Sequence, residues 1–229
     1  MLAKKKKLSK KEIKEDKLVT TFYEAKSFYE EHQTKLIAGI GVLVAIVVGI
    51  ILYTNKMESN SLAASTELSR VIQSYNAGLY QDAIDGKPGT KVLGLVKIVH
   101  EYGGSEQGEL ARIYLANSYY FTGQIDKAYS EYDNYSGSDD LMVASALAGK
   151  ASIYVLKSDI ESAADYYSKA ASVNKYNPSN AEYLLEAGIN YLKIDDFKNA
   201  KSSFEKIKKD YQTSLASREV DRYLAQIKS

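Results

Sequence analysis

Between Leu36 and Tyr53 the chain reads LIAGIGVLVAIVVGIILY, eighteen positions without a charged side chain, bracketed by Lys35 and Lys56. At about 1.5 Å per residue this run forms a helix about 27 Å long, just enough to cross a hydrocarbon core of about 30 Å. Its glycines and β-branched residues do not oppose a helix there, because lipid offers the backbone no other hydrogen-bond partner. Ahead of the run, Leu18, Phe22, Ala25 and Tyr29 recur at helical spacing and predict a short amphipathic helix at the membrane surface. Behind it, apolar positions are never continuous. They return every three or four residues between polar, turn-forming breaks, which predicts a succession of amphipathic helices.

Those helices repeat. Leu115-Ala116 is followed by Tyr119, Ala128 and Tyr132; Ala151 by Tyr154, Ala163 and Tyr167; Gly188 by Tyr191, Ala200 and Phe204. In every unit the tyrosine precedes the alanine by nine residues, and successive units are offset by 35 and 37. The small residues Ala116, Ala151 and Gly188 let the second helix of a pair approach the first, and Ala128, Ala163 and Ala200 do the same from the other side. Tyr119, Tyr154 and Tyr191 are then expected to pack on Tyr132, Tyr167 and Phe204. Turns fall at Thr122–Asp126, Lys157–Ile160 and Ile194–Phe197. The pattern resembles the tetratricopeptide repeat, a 34-residue helix-turn-helix unit. Departures from it are Arg112 at a bulky opening position, Lys150 at an apolar one, and a displaced Pro178.

A fourth, weaker pair precedes these, with Leu68, Ile72, Tyr75 and Leu79 on one helical face and Val92, Leu95, Val96 and Val99 on another. The long turn Asp85-Gly86-Lys87-Pro88-Gly89 separates them. Ser105 and Ser214 read as N-caps after matching Tyr102 and Tyr211 phrases, similar to the Tyr-Pro-x-Ser junction of envelope tetratricopeptide proteins. A last helix over 214–228 presents Ala216, Val220, Tyr223, Leu224 and Ile227 on one stripe, fit to cap an open solenoid end.

Charge gives the apolar run a direction. Residues 1–35 hold ten lysines and six acids, whereas only Lys56 and Arg70 occur in the twenty residues after the run. The positive-inside rule puts the N-terminus in the cytoplasm and the repeats outside, which in a bacterium means the periplasm. A cleaved signal peptide would have a shorter basic lead-in and a small-x-small site at once after the apolar core; here Thr54, Asn55 and Lys56 follow. Gly41, Ala45 and Gly49 form a small-residue stripe that suits a contact with another transmembrane helix.

The fold class that emerges is all-α: a single N-terminal transmembrane helix, then a tetratricopeptide-type α-solenoid with a C-terminal capping helix. Its divisions are a cytoplasmic basic segment at 1–35, the transmembrane helix at 36–53, a membrane-proximal helix pair at 54–104, and three repeats with the cap at 105–229.

Residues 54–229 carry 20 basic and 23 acidic side chains, which argues against nucleic acid as a partner. Without cysteine there is no disulfide, thiolate metal site or cysteine nucleophile. His32 and His100, far apart in sequence, do not make a metal site. Asp139-Asp140 and Asp195-Asp196 lie at helix starts, where acids cap amides and complement the dipole. No phosphate loop or serine–histidine constellation is present, so neither an enzyme nor a cofactor is expected.

What remains is binding of a protein. On the geometry of tetratricopeptide arrays the partner-facing concave surface comprises Ile113, Asn117, Tyr120, Ala148, Ser152, Val155, Leu185 and Ile189. The whole layout resembles membrane-anchored tetratricopeptide proteins of Bacteroidota, through AIDGKPGT, YGGSEQGELARIYLANSYY and SREVDRYLAQIK, and more distantly the ancillary subunit of the bacterial Sec translocon. That resemblance implies an inner-membrane protein working beside the translocon with a periplasmic chaperone. A scaffold for another envelope machine (cell-wall synthesis or outer-membrane assembly) and a substrate-presenting accessory of a membrane protease are the alternatives.

Overall fold

The structure, a computed structural model, describes residues 10–227. The lysines at 4–7 and the side chain of Leu18 lie outside the described residues. Ten helices make up the fold among those described: α1 (Lys10–Asn76), α2 (Tyr80–Asp85), α3 (Leu95–Tyr102), α4 (Glu106–Phe121), α5 (Ile125–Asp133), α6 (Asp140–Leu156), α7 (Ile160–Ser172), α8 (Asn180–Lys193), α9 (Phe197–Asp210) and α10 (Leu215–Ile227). They fall into two compact units, Met1–Asn55 and Lys56–Ser229.

The first unit is α1 up to Asn55. Its most apolar stretch has a mean hydropathy of 2.9 and none of it is buried. By length and composition this helix can cross a membrane. Around Gly41 and Gly49 nothing approaches where a side chain would start, so the small-residue stripe is open. Phe22 and Tyr29 belong to the same unbroken helix as the apolar run; the separate short helix expected ahead of it does not form.

The second unit is a succession of helix pairs. The end of α1, α4, α6 and α8 are first helices, and α2, α5, α7 and α9 are second helices. Each first helix ends in the same turn. Leu79, Gln124, Asp159 and Asp196 donate to the carbonyls of Ser74, Tyr119, Tyr154 and Tyr191, five residues back, at 2.8–2.9 Å. The residue just before each is left-handed: Gly78, Gly123, Ser158 and Asp195, with φ of 73°, 76°, 61° and 58°. This wrapped end satisfies the last helical carbonyls and reverses the chain.

That recurrence corrects the expected fourth pair. Its second helix is α2, not the segment starting at Val92, and Ala83 occupies the place of Ala128, Ala163 and Ala200; all four are fully buried. Leu79 is therefore an exposed turn residue, and the buried face of α1 is Ala64, Leu68 and Val71, with Ile72 half-buried. The α2 helix stops because Gly86 and Gly94 cross: a side chain on Gly94 would start 2.3 Å from the Ile84 carbonyl oxygen. After this loop α3 buries Leu95, Ile98 and Val99 and leaves Val96 exposed.

Two apolar clusters stabilise the array. One joins α1 through α5 and part of α6 around Leu95, Ile98 and Leu115; the other joins α6 through α10 around Phe204, Ile207 and Val220. At about 25 cal/mol per Å² such burial is the main force holding helix on helix. Helix α10 packs on α9 and α8 through Ala216 and Val220, as the capping stripe requires. At both Tyr-x-x-Ser junctions the serine hydroxyl donates to the tyrosine carbonyl (2.6 and 2.7 Å) and accepts the amide three residues on (3.2 and 3.1 Å).

The anomalous residues of the repeats have partners. Arg112 donates to Glu109 at 3.3 Å and to Glu131 at 2.8 Å. Glu109, only 2% exposed, also accepts the amides of Gly104 and Ser136 and so ties two loops to α4. Lys150 lies between the rings of Tyr129 and Tyr166 and donates to Asp133 at 2.6 Å. A cation is held there by two π faces and a carboxylate.

Candidate functional site

The small residues of the repeats are where chains of packed helices touch. A side chain begun at Gly188 would lie 2.4 Å from Phe204 Cε1, and one at Gly149 would lie 2.3 Å from Tyr132 Cζ. The aromatic rings from the second helices thus press against the first helices at these small residues.

What those rings meet differs by unit. The Tyr132 hydroxyl donates to Asn117 Oδ1 at 2.5 Å, and Asn117 Nδ2 donates to the Tyr75 hydroxyl at 3.1 Å. One unit later the Tyr167 and Ser152 hydroxyls are 2.8 Å apart. In the third unit the ring is Phe204, without a hydroxyl, and the residue at the position of Asn117 and Ser152 in the repeat is Ile189. Polar partner accompanies phenol; aliphatic partner accompanies phenyl. In the first two units the buried phenol is thus matched by a hydrogen-bonding side chain.

The other aromatic pairs depart from the expected ones. Tyr154 stacks on Tyr166 at 5.2 Å, with its hydroxyl 3.1 Å from that of Tyr129. Tyr191 donates to Asp165 at 2.8 Å, and Phe204 stacks on Tyr223 of the capping helix at 5.3 Å.

Above the Tyr132 and Tyr167 rings lies a groove of about 330 Å³. Helix α4 lines it with Asn117, Tyr120 and Phe121; α6 with Ser145, Ala148, Gly149 and Ser152; α8 with Glu182, Tyr183 and Glu186. The lining steps from the end of α4, through the middle of α6, to the start of α8. The groove therefore crosses the three first helices on a diagonal, as a stack of rotated repeats produces.

Four of the eight residues expected on the binding face meet here: Asn117, Tyr120, Ala148 and Ser152. Ile113 does not, being 3% exposed within the first apolar cluster. Val155, Leu185 and Ile189 pack against the second cluster. Tyr183, Glu182 and Glu186 were not anticipated. Glu182 and Glu186 follow Ser145 and Gly149 by the same 37-residue offset that relates the last two units, so the repeat alignment already carried the signal.

Charge on this face is negative. None of the twelve lining residues is basic. Glu182 and Glu186 are exposed and form no ion pair among the described residues. Burial pushes the Tyr132 phenol far above its ordinary range, with Tyr75, Tyr120, Tyr167 and Tyr183 adding to the shift. Tyr167 is raised by burial, against its Ser152 hydrogen bond, with further upward pressure from the Glu186 charge. Tyr183 is raised by burial, and Glu182 adds to it. These phenols stay neutral and serve as rings and hydrogen-bonding groups.

Elsewhere, His32 packs on the Phe28 ring at 4.6 Å and His100 is exposed on α3. Asp139 and Asp196 accept amides of the first turns of α6 and α9.

A family model described as a tetratricopeptide repeat-like domain matches residues 26–228. No curated protein and no solved structure matches the chain.

Proposed function

The chain belongs to the tetratricopeptide repeat-like domain family, and from that premise we propose that it is a membrane-anchored scaffold which holds a protein partner in the groove crossing α4, α6 and α8. The observation that carries this reading is the groove itself. Three successive first helices contribute to one recess floored by rings, with hydroxyl, amide and carboxylate groups at its edge. Aromatic rings in such a recess give contact area at low entropic expense, and polar groups around them orient an incoming backbone.

The exposed apolar stretch of α1 supplies the anchor, in a bacterial inner membrane. The lysine asymmetry around it supports a cytoplasmic N-terminus and a periplasmic repeat domain. Likeness to the ancillary Sec subunit points to the translocon and a periplasmic chaperone as the partners. The reading assigns the chain no reaction and no cofactor.

The test is photo-crosslinking in intact cells from position 120 or 183, with Lys201 on α9 as the control. Discrete protein adducts from the two groove positions, absent from the control, are expected. Adducts from Lys201 alone would remove the groove from consideration. Mass spectrometry of the adducts then distinguishes Sec subunits from wall synthases or a protease.

A further inference from the structure

The groove and the Lys150 site are built from the same parts. At Lys150, two tyrosine rings and one carboxylate surround an ammonium: Tyr166 and Tyr129 centroids lie 5.0 and 5.6 Å from Nζ, and Asp133 is 2.6 Å away. Burial there works against the charge, yet the Asp133 hydrogen bond, with charge interactions from Tyr166, Asp133 and Tyr129, prevails and raises the Lys150 pKa. In the groove, Tyr167 and Tyr183 present rings beside Glu186 and Glu182, and no cation among the described residues answers them.

Hydrogen-bond accounting points the same way. Asn117 and Ser152 are engaged with Tyr132 and Tyr167, so these two side chains are committed within the groove wall. The carboxylates, which only accept, remain. A group that meets both carboxylates brings donors and positive charge. A cavity of about 330 Å³ lies at the small end of ligand sites, and fits one or two side chains of a peptide better than a whole metabolite.

Resting on the scaffold reading above, we infer that the groove selects a segment of its protein partner by an arginine or lysine, held between the Tyr167 and Tyr183 rings and the Glu182 and Glu186 carboxylates, with an adjoining apolar side chain against Tyr120 and Phe121. Arginine fits this arrangement best, because its planar guanidinium stacks on rings while donating to carboxylates.

The chain contains no tryptophan, so a tryptophan-bearing probe can be observed selectively. The full-length protein in zwitterionic detergent is titrated with three capped nine-residue peptides that share a leucine, alanine and tryptophan frame. They differ only in a central arginine, glutamine or glutamate. The arginine peptide is expected to bind about tenfold more tightly than the glutamine peptide, with the glutamate peptide weakest, and added salt should narrow the gap. In the Glu182→Gln/Glu186→Gln protein the arginine preference should vanish, the arginine and glutamine peptides then binding alike.

Equal binding of all three peptides, absence of saturable binding by the arginine peptide, or a preference that survives the double substitution would each overturn the assignment. None of these touches the scaffold reading, which stands or falls on crosslinking from positions 120 and 183 in cells.

Discussion

Asn117 sits between two phenols, accepting from Tyr132 at 2.5 Å and donating to Tyr75 at 3.1 Å, and so couples α1, α4 and α5 through one amide. A residue that sequence spacing assigns to a binding surface is, in the fold, largely a structural bracket. It shapes the groove wall while its own polar atoms are engaged.

The third repeat shows how that bracket can be replaced. Asn117→Ile alone leaves the buried Tyr132 hydroxyl without its acceptor, which should cost about 1–3 kcal/mol. Tyr132→Phe alone leaves Asn117 still bonded to Tyr75 and should cost less. The double variant copies the Ile189 and Phe204 pairing and should recover most of the loss. A double-mutant cycle by chemical denaturation measures this; strict additivity of the two changes would show that the contact carries no coupling.

Close approach at Gly188 gives a second prediction. Phe204 Cε1 lies 2.4 Å from the place a methyl group would occupy, and Phe204 is itself fully buried and stacked on Tyr223. The ring has no room to yield. Gly188→Leu should therefore destabilise the array by about 1–3 kcal/mol or more through overpacking. Calorimetry should show the melting temperature falling by about 2–4 °C per kcal/mol for a unit this size. Pairing a milder Gly188→Ala with Phe204→Leu should restore part of it.

The spacing of small residue, aromatic and alanine made the repeats legible because helix pairs cannot close without those sizes at those positions. Ala116, Ala151, Ala128, Ala163 and Ala200 are all fully buried. Helix α2 is not legible in the pattern because six residues carry too little periodicity, although Ala83 marks its place. The amphipathic helix expected before the apolar run and the helix expected after it are one, since no proline occurs before Pro88 and no glycine between Gly49 and Gly78. The binding face was legible only in part. Equivalent positions on successive repeats were placed in a straight row, whereas rotation between repeats carries the groove back along α8 to Glu182, Tyr183 and Glu186. That rotation is set by side-chain packing between pairs, which a one-dimensional pattern does not contain.

Membrane direction yields a third prediction. Ten lysines precede the apolar stretch and two basic residues follow within twenty positions. A reporter active only outside the cytoplasm, fused after Ser229, should be active, and a cytoplasm-only reporter at the same site should be silent. Moving positive charge should move the outcome: neutralising the lysines at 4–7 while adding four lysines after Tyr53 is expected to weaken or reverse the asymmetry. The opposite reporter pattern in the unaltered chain would place the groove in the cytoplasm.

The raised phenols make the fold sensitive to alkali. Burial is the first cause for Tyr191, and the hydrogen bond to Asp165 together with that carboxylate's charge adds to it, so its pKa is pushed up to about 12 from an ordinary 10.0. Burial also raises Tyr132 and Tyr167. A tyrosine raised in the folded state stays protonated where its unfolded counterpart has already ionised. Between pH 10 and about 12 the unfolded chain thus binds fewer protons than the folded one, and stability falls as pH rises. Below pH 10 the contribution is fully present, and above about 12 the Tyr191 share of the slope ends. Chemical denaturation across this range, with phenolate absorbance followed in parallel, should show that decline. Tyr191→Phe, which cannot ionise, should be less stable at neutral pH through loss of the Asp165 bond but should have a shallower alkaline slope. An identical slope in the variant would mean that Tyr191 titrates in the fold as it does in the open chain.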